Sequence, residues 1–488
     1  MPLRKAALLA QALLLAAAAS AQVPTLTLGD AVRLALQNNK DLKVSSYGPG
    51  ISRADLLVAR GAFDPSFLLE RTYNQTQFGS SVGLVGVFDQ EKIDYYQGGV
   101  QGLLPVGTQY SIYGSTTETR ETYAGAFSKN YSSFGGFQVT QPLLKGFGLG
   151  YNLENVRIAK ANRAISDQNF RQTAITTVSS VVDAYINLQL AHDLFDSTLR
   201  SVTMAQRLLD ENEKKFKLGA AAQSDLTEAR AQRAGYDDPM IAAERQVRDA
   251  QNNLRELIGA DVFFEDEPLF VLGPISLPDV RVDPRADLET ALASRPDYEI
   301  WRQTIKKDRA VESWARNSLL PEVNFVGGYG YNGSAQNFSP SRQMVENQMN
   351  PSMSAGLVVT IPFTFAVGRG TLRAAKLTRE QDEENLKDDA ANVALAVATA
   401  DGQVEATRKR VAADQAWVTF ARQSVEDEEK MFKAGTSSTL QVEQVQVSES
   451  EAETALAGAV AQERQAIVTY DQTLGTTLER YHVKLAAD

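Results

Sequence analysis

One pattern of residues occurs twice along this sequence of 488 residues, and the duplication restricts the possible fold more than any other feature. Three pairs of matching segments mark the register, two at an offset of 216 residues and one at an offset of 220: Phe216–Gly219 with Phe432–Gly435, Leu257–Gly259 with Thr473–Gly475, and Gln141–Leu143 with Ile361–Phe363. The sequence therefore predicts two copies of one fold, with their elements in the same order.

The two copies differ mainly by one insertion. Asp64-Pro65 matches Leu320-Pro321 at an offset of 256, so the first copy has 36 additional residues before Pro142. Segments 96–104 and 108–117, around Pro105-Val106-Gly107, have the pattern of an additional β-hairpin. We predict the following division of the chain: a first repeat over residues 22–260, a linker rich in proline and glycine over 261–283, a second repeat over 284–478 and a tail over 479–488.

Each repeat contains a part in which apolar residues alternate with polar ones, as in a β-strand with one apolar face. In the second repeat the alternation runs through Val323–Tyr331 and Ala355–Ile361. We therefore predict strands within about residues 64–141 of the first repeat and about 321–362 of the second.

The remaining segments read as helices that are too long for a globular core. Residues 151–217 contain neither proline nor glycine and would form a helix of about 100 Å at 1.5 Å per residue. Apolar side chains recur within this stretch at helical spacing: Val178, Val182, Tyr185 and Leu188. Helices over 222–258 and 287–316 would measure about 55 and 45 Å. Two shorter helices stacked end to end would match the long one, as a hollow helical cylinder requires.

The first residues have the composition of a secretory signal peptide. Arg4 and Lys5 precede an apolar run over 6–18, and Ala19-Ser20-Ala21 gives the small residues of a cleavage site. We expect residues 1–21 to be removed on export. No later stretch has about 18 consecutive apolar residues, so we predict no transmembrane helix. An exported chain of this kind could still enter an outer membrane through β-strands.

Composition argues against several classes of function. The chain has no cysteine, which excludes disulfides and thiolate chemistry, and its net charge of −11 argues against nucleic-acid binding. With two histidines and seven methionines, we predict no metal site and no cofactor. Gly79–Gly83 matches a nucleophile-elbow pattern, but its flanks lack the strand and helix that the motif needs. We therefore do not predict an enzyme.

Two tip motifs and one crossing motif carry a resemblance to a known family. Phe216-x-x-Gly219, followed by Asp225-Leu226, resembles the helix-turn-helix tip of TolC-like outer-membrane efflux proteins, and Phe432-x-x-Gly435-Thr436 is its second copy. Gln141–Gly146 is similar to the strand-to-helix crossing of that family. The resemblance covers the chain from about Leu26 to Gly475.

The resemblance implies a fold, an assembly and a function. The fold is a mixed all-α plus β-barrel membrane protein, in which a trimeric outer-membrane β-barrel continues into a long periplasmic α-helical barrel. A single protomer has too few strands to close such a barrel, and lipid does not tolerate open sheet edges. The function is that of an outer-membrane exit duct in a tripartite efflux or type I secretion system. The expected partners are two further copies of the chain, a periplasmic adaptor, an inner-membrane RND or ABC transporter, and outer-membrane lipid.

The resemblance also assigns roles to individual residues. Adaptor-contacting tips would be formed by Lys217, Gly219, Lys433, Gly435 and Thr436; the periplasmic gate and constriction by Asp225, Phe432, Ser437, Gln441, Glu443 and Gln444; the strand-to-helix crossings by Pro142 and Pro362. Gln441 and Gln444 stand where the family commonly has acidic residues, and Phe432 and Ser437 where its gate uses a tyrosine and an arginine. Since phenylalanine has no hydroxyl and serine no charge, we expect a looser or differently held gate with weaker cation preference.

Two other interpretations and two irregularities remain. A non-conducting periplasmic coiled-coil scaffold would suit the long helices and the acidic charge, but not the alternating aromatic strands of both repeats. A secreted hydrolase is the other alternative.

Gly48-Pro49-Gly50 and Pro239 fall inside predicted helices, and we expect each proline to kink or break its helix locally.

Overall fold

The structure is a computed structural model that describes most of the chain. The described residues are 25–77, 88–123, 126–219, 222–259, 271–273, 275, 280–434 and 436–485. The predicted signal peptide, the Gly79–Gly83 motif and most of the predicted linker over 261–283 lie outside these residues.

Helices make up most of the described chain. The strands of the six-stranded sheet fall in the two places predicted, whereas the two-residue strands β1 and β6 lie outside them. The helices are α1 (Leu28–Asn38), α2 (Lys40–Gly61), α3 (Leu149–Asn152), α4 (Glu154–Lys217), α5 (Gln223–Gly235), α6 (Asp237–Ile258), α7 (Pro284–Ser294), α8 (Pro296–Asn317), α9 (Phe338–Glu346), α10 (Ala366–Lys433), α11 (Thr439–Leu474) and α12 (Thr477–Arg480). The strands are β1 (Thr25–Leu26), β2 (Ser66–Gln77), β3 (Phe88–Leu103), β4 (Gln109–Tyr123), β5 (Ala126–Pro142), β6 (Val271–Leu272), β7 (Glu322–Ala335) and β8 (Pro351–Thr360). The short helix α9, between two strands of the second repeat, was not predicted.

The described residues form two compact units. The helical unit comprises Met1–Tyr47, Gln168–Tyr298 and Asp388–Asp488, as far as these are described. The sheet unit comprises Gly48–Asp167 and Glu299–Lys387. No helix in the described part of the chain is both long and apolar enough to cross a membrane.

The sheet unit contains one antiparallel sheet with the strand order β2-β3-β4-β5-β7-β8. The additional hairpin predicted from the insertion is confirmed as β3 and β4, which are longer than expected and lie within the sheet. Its turn uses Gly107 at φ +97°, a left-handed conformation that suits glycine. Strand β5 of the first repeat pairs with β7 of the second, so both repeats contribute to one sheet.

One face of this sheet carries an exposed apolar row, and the same face has charged residues further along β2, β3, β4 and β5. Because side chains alternate between faces along a strand, paired residues on neighbouring strands share a face. One row of paired residues crosses all six strands and is apolar throughout: Phe67, Val100, Ile112, Phe137, Tyr329 and Met353. All six side chains are exposed in the protomer, from 38% for Val100 to 79% for Met353. We call this surface the apolar face; the opposite face presents mostly serine, threonine, asparagine and glutamine.

The helical unit is organised around the apolar stripe that the spacing of α4 predicted. Val178, Val182, Tyr185 and Leu188 are all buried there, between 0% and 3% exposed. The Tyr185 hydroxyl lies 2.9 Å from the carbonyl oxygens of both Leu26 and Gly273. It therefore fixes the parallel pair β1–β6 against α4.

The prediction of one helix over residues 287–316 is wrong in one respect. The helix is divided at Arg295 into α7 and α8. Proline at 296 disfavours helical backbone in the residue before it, and Arg295 is extended at φ −70°, ψ 128°. The matching residue of the first repeat, Asn39, separates α1 from α2 at φ −60°, ψ 126°. The break is therefore a feature of both repeats.

In each repeat the chain turns back after its long helix into a return helix, which is α5 and α6 in the first repeat and α11 in the second. The end of this return helix holds the break of its own repeat. Asn39 Nδ2 donates to the carbonyl oxygen of Leu257 at 3.0 Å, and Arg295 Nη1 donates to that of Thr473 at 3.1 Å. Two residues after each carbonyl, Gly259 and Gly475 end their helices in the left-handed conformation, at φ +72° and +73°. A different side chain makes the same bond in each repeat.

The two irregular prolines behave differently. We predicted that Gly48-Pro49-Gly50 would kink or break its helix. No break occurs, because α2 continues from Lys40 to Gly61 with Pro49 inside it. A proline removes a single internal hydrogen bond, and the helix tolerates this loss here. Pro239 does coincide with a break. It lies in the first turn of α6, where its missing N–H would have bonded to Gly235, the last residue of α5.

We predict that Gly259→Ala and Gly475→Ala each lower the free energy of unfolding by about 1 to 3 kcal/mol, because a non-glycine residue is strained at this positive φ. A Cβ atom at Gly259 would also lie 2.7 Å from Asn38 Cβ, and one at Gly475 would lie 3.0 Å from the Ser294 carbonyl. Urea unfolding followed by helical circular dichroism measures the change. The control is Gly458→Ala, inside α11 with no neighbour within 4 Å, which should not destabilise. Equal stability of all three variants would contradict this account of the junction.

Candidate functional site

The candidate site lies at the two turns that join long helices within the helical unit. In the first turn, Gly219 has the predicted left-handed conformation at φ +73°, and its N–H donates to the Phe216 carbonyl at 2.9 Å. Lys217 and Gly219 are exposed, and Leu218 is 82% exposed. An apolar side chain at the point of a turn is thus left without cover inside the protomer.

The second turn has a different internal structure. The N–H and the hydroxyl of Thr436 both donate to the Met431 carbonyl at 3.0 Å and so cap the end of α10. Lys433 is exposed and lies 3.8 Å from the Glu429 carboxylate. Gly435, predicted to share the role of Gly219, lies outside the described residues.

Asp225 and Gln441 occupy the same position in the two repeats, in the first turn of the return helix. The Asp225 carboxylate accepts the Ala222 N–H at 3.1 Å. Gln441 Oε1 accepts the Ser438 N–H at 3.4 Å, while the Gln441 N–H donates to Ser438 Oγ at 3.3 Å. These are capping bonds, which fix where α5 and α11 begin.

Phe432 and Ser437, which were predicted to stand at the gate, make contacts within the protomer. Phe432, on α10, lies beneath the Lys215 ammonium of α4, with Nζ 3.8 Å from the ring centroid. Ser437 donates a hydrogen bond to the Glu428 carboxylate. The structure thus brings Phe432 of the second tip to Lys215 of the first, whereas Ser437 bonds within its own hairpin.

Glu443 and Gln444 differ in their surroundings. Gln444 is exposed, whereas Glu443 is half-buried. Burial, together with the nearby Glu228 carboxylate, raises the pKa of Glu443. This residue therefore faces an acidic neighbour from the first repeat, on α5.

Helices α4 and α5 form one helical hairpin, and α10 and α11 form a second. An ion cluster that the sequence did not reveal connects these two helical hairpins. Glu453 of α11 accepts hydrogen bonds from Arg200 of α4 at 2.8 Å and from Arg422 of α10 at 2.7 Å. Arg422 also lies 3.7 Å from Glu449. We call Arg200, Arg422, Glu449 and Glu453 the hairpin clamp. A groove of about 410 Å³ between α4, α5 and α11 adjoins it.

The hairpin clamp explains the charge of its central carboxylate. Burial opposes ionisation of Glu453, but the hydrogen bonds from Arg422 and Arg200 outweigh it and lower the pKa of Glu453. Burial and the neighbouring Glu453 raise the pKa of Glu449. One signal was present in the sequence: the first repeat has Arg233 and Asp237 where the second has Glu449 and Glu453. Two like charges four residues apart on a helix call for cations from elsewhere.

The crossings contain the two predicted prolines. Pro142 is the last residue of β5, and the segment after it bonds to the second repeat, with the Leu143 N–H donating to the Val323 carbonyl at 2.7 Å. The Gly146 N–H donates to Asn317 Oδ1 at 2.7 Å. Pro362 follows β8 and precedes α10.

Comparison with known proteins assigns the family. The sequence profile of the outer membrane efflux protein family matches residues 102–260 and 288–476, one segment in each repeat. The chain belongs to this family. It is an outer-membrane protein, and the family resemblance seen in the tip and crossing motifs is confirmed.

Individual relatives are distant. The multidrug resistance outer membrane protein MdtP of Escherichia coli K12 is 26% identical over 189 residues, which are 38% of either chain. The outer membrane protein TolC of the same strain is 20% identical over 290 residues, 57% of either chain. The aligned segments thus span less than two thirds of these relatives.

Solved structures of outer-membrane channels share the fold over nearly the whole chain. The outer-membrane channel OprN has a TM-score of 0.67 at 17% identity, covering 92% of this chain and 90% of its own. The open state of the MtrE channel of Neisseria gonorrhoeae gives the same score and identity, covering 93% and 90%. This likeness shows the fold alone, with two repeats of helices and strands.

We predict that acid weakens the hairpin clamp of this efflux-family protein. Since the pKa of Glu453 is lowered in the folded state, its contribution is present above the ordinary glutamate value of 4.5 and is lost as the pH falls below it. Glu453→Gln should lower the free energy of unfolding by about 1 kcal/mol at pH 7, because both arginines are largely exposed. It should also remove this part of the acid dependence between pH 5 and 3.

The measurement is urea unfolding by circular dichroism across that pH range. Glu213→Gln is the matched control, because Glu213 pairs with Arg230 at 3.2 Å between α4 and α5, inside one hairpin. An unchanged acid dependence in Glu453→Gln would refute the clamp.

Proposed function

We propose that three copies of this chain form an outer-membrane exit duct, which passively conducts substrates delivered by a periplasmic adaptor and an inner-membrane RND or ABC transporter. The observation that carries the proposal is the six-stranded sheet with an exposed apolar face and two open edges, in a protein of the outer membrane. The duct would join a β-barrel in the membrane to a helical tube in the periplasm.

The open edges require partners. Strand β2 has 12 residues and β8 has 10, and nearly all of their residues are exposed in the protomer. Unpaired backbone N–H and C=O groups cost several kcal/mol each in lipid, which excludes an open edge there. Pairing β2 of one copy with β8 of the next would satisfy both edges. Three six-stranded sheets would then close a barrel of eighteen strands, an even number as in other barrels of this kind.

The helical unit supports the same assembly. Its helices lie side by side as columns, in an order that the contacts give. Helix α5 contacts α4 through Arg230 and Glu213. Helix α4 contacts α11 through the hairpin clamp, and α11 contacts α10 through the same clamp. The two outer columns expose large apolar side chains, with Ile241 of α6 at 67%, Leu395 of α10 at 68% and Phe420 of α10 at 67%. Neighbouring copies would cover these side chains, since isolated outer columns would leave them in water.

The residues at the turns take roles in this proposal that the family suggests. The exposed Lys217, Gly219, Lys433 and Thr436, with Gly435, would contact the adaptor, and the constriction would be formed by Asp225, Phe432, Ser437, Gln441, Glu443 and Gln444. Neutral Gln441 and Gln444 support weaker cation preference there. The contacts of Phe432 with Lys215 and of Ser437 with Glu428 support a gate that is held differently.

Planar-bilayer conductance of the protein extracted from outer membranes tests the duct. We expect discrete current steps from trimers, and a higher conductance from Glu453→Gln because the clamp that holds the two hairpins together is lost. Glu213→Gln should conduct as the wild type does. Trimers of wild type and Glu453→Gln that never conduct would overturn the duct and favour the scaffold. Strong cation selectivity in the wild type would overturn the proposed effect of Gln441 and Gln444.

Site-specific photocrosslinking in intact cells tests the adaptor contact. We expect a photoreactive amino acid at Lys217 or Lys433 to form adducts with a periplasmic adaptor, identified by mass spectrometry, because both side chains are exposed at the turns. The control position is Lys409, an exposed lysine within α10, which should give no adaptor adduct. Adducts at Lys409 and none at the two tips would place the adaptor elsewhere.

A further inference from the structure

A cavity of about 920 Å³ lies between helix α9 and the apolar face of the sheet. The helix is fastened to this face by Ser341, whose fully buried hydroxyl lies 2.9 Å from Ser133 Oγ and 3.0 Å from the Gly333 carbonyl. Phe338 of α9 contacts Tyr131, with ring centroids 6.1 Å apart. The cavity is therefore built by a loop helix that lies on the face of the sheet that the proposed duct would direct at lipid.

Three glycines form the floor of this cavity. Gly98, Gly114 and Gly135 are paired neighbours on β3, β4 and β5. On each strand the glycine lies two residues from the apolar row and on the same face. The absence of side chains at three adjacent positions leaves a trench between Leu69 on one side and Val345 on the other. A Cβ atom at Gly114 would have no neighbour nearer than 3.7 Å, so the trench is open at its centre.

Basic side chains lie further along the same face. Lys92, Arg120 and Lys129 are paired neighbours on β3, β4 and β5, six residues beyond the glycines, which is about 20 Å along a strand. Between the two rows, Asp94 and Glu118 are buried at 6% and 7% exposure. Their carboxylates pair with cations: Asp94 with Arg71 at 3.3 Å and with Arg120 at 3.6 Å, and Glu118 with Arg120 at 2.6 Å and with Lys129 at 3.0 Å.

This arrangement leaves an excess of positive charge facing outward. Four cations (Arg71, Lys92, Arg120 and Lys129) stand against two carboxylates, and the carboxylates are the buried partners. The side chains of Arg120 and Lys129 are 37% and 36% exposed. The strand ends that lead into α4 and α10 belong on the periplasmic side, so the basic row belongs at the outer leaflet. Its charge complements phosphate groups there.

We propose that each protomer binds one phosphorylated acyl lipid of the outer leaflet, with an acyl chain in the glycine trench under α9 and a phosphate at Lys92, Arg120 and Lys129. The 20 Å between trench and basic row suits a lipid, which carries its charge and its chains at separate ends. The site would hold α9 on the sheet from the membrane side. It rests on the position of the sheet in the outer membrane and holds whether or not the assembly conducts.

Native mass spectrometry of the purified trimer, titrated with diphosphoryl lipid A, tests the site. We expect one lipid per protomer, and about tenfold weaker binding for the double variant Lys92→Gln/Lys129→Gln, which leaves Arg120 to neutralise Glu118. Gly114→Leu should also lose the lipid, because the new side chain fills the trench. The controls are Lys145→Gln, a basic residue at the opposite end of the sheet, and Thr117→Leu, on the opposite face of β4. Both should bind as the wild type does.

Each part of the proposal has its own contrary result. Unchanged lipid A affinity in the lysine double variant would overturn the phosphate subsite, and unchanged affinity in Gly114→Leu would overturn the acyl trench. Equal binding of dephosphorylated lipid would remove the role of the basic row. Displacement of lipid A by millimolar inorganic phosphate would show a site for a free anion instead of a lipid. Trimer mass and circular dichroism of each variant confirm that it folds.

Discussion

The requirement that every backbone N–H and C=O group in lipid has a hydrogen-bond partner governs the rest of this structure. Within the protomer, β2 and β8 lie at the two edges of the sheet, and each of these strands is paired on one side only. The insertion in the first repeat adds β3 and β4 to the interior of the sheet, so in the proposed trimer it would increase the barrel from twelve strands to eighteen without changing the edges. The proposed threefold assembly would follow from these two edges.

The duplication is preserved in geometry more faithfully than in sequence. The break between paired helices is made by Asn39 in one repeat and by Arg295 in the other, and each donates to a carbonyl two residues before a left-handed glycine. Elsewhere the repeats diverge in the ion pairs that they make. Arg233 and Asp237 pair with each other in the first repeat, whereas Glu449 and Glu453 at the matching positions accept cations from α4 and α10. The same helix position thus became a contact between hairpins.

What the sequence revealed depends on how local each feature is. The buried stripe from Val178 to Leu188, the turn at Gly219 and the additional hairpin follow from periodicity and turn residues, and all three were predicted. The break at Arg295 had a local signal in Pro296 that the helical pattern around it outweighed. The hairpin clamp joins Arg200 to Glu453 across 253 residues, and the position of α9 on the sheet depends on Ser341 meeting Ser133, so neither was readable from a single chain. The tip and gate residues were assigned through their motifs, and these roles stay proposals.

The central claim is that β2 of one copy pairs with β8 of the next to close one barrel. Electron cryomicroscopy of the protein in lipid nanodiscs tests this pairing most directly. The account predicts three copies around one axis, eighteen strands, and backbone hydrogen bonds between β2 and β8 at each of three equivalent boundaries. A particle in which either edge strand lies against lipid, or is covered by something other than the neighbouring strand, would contradict it.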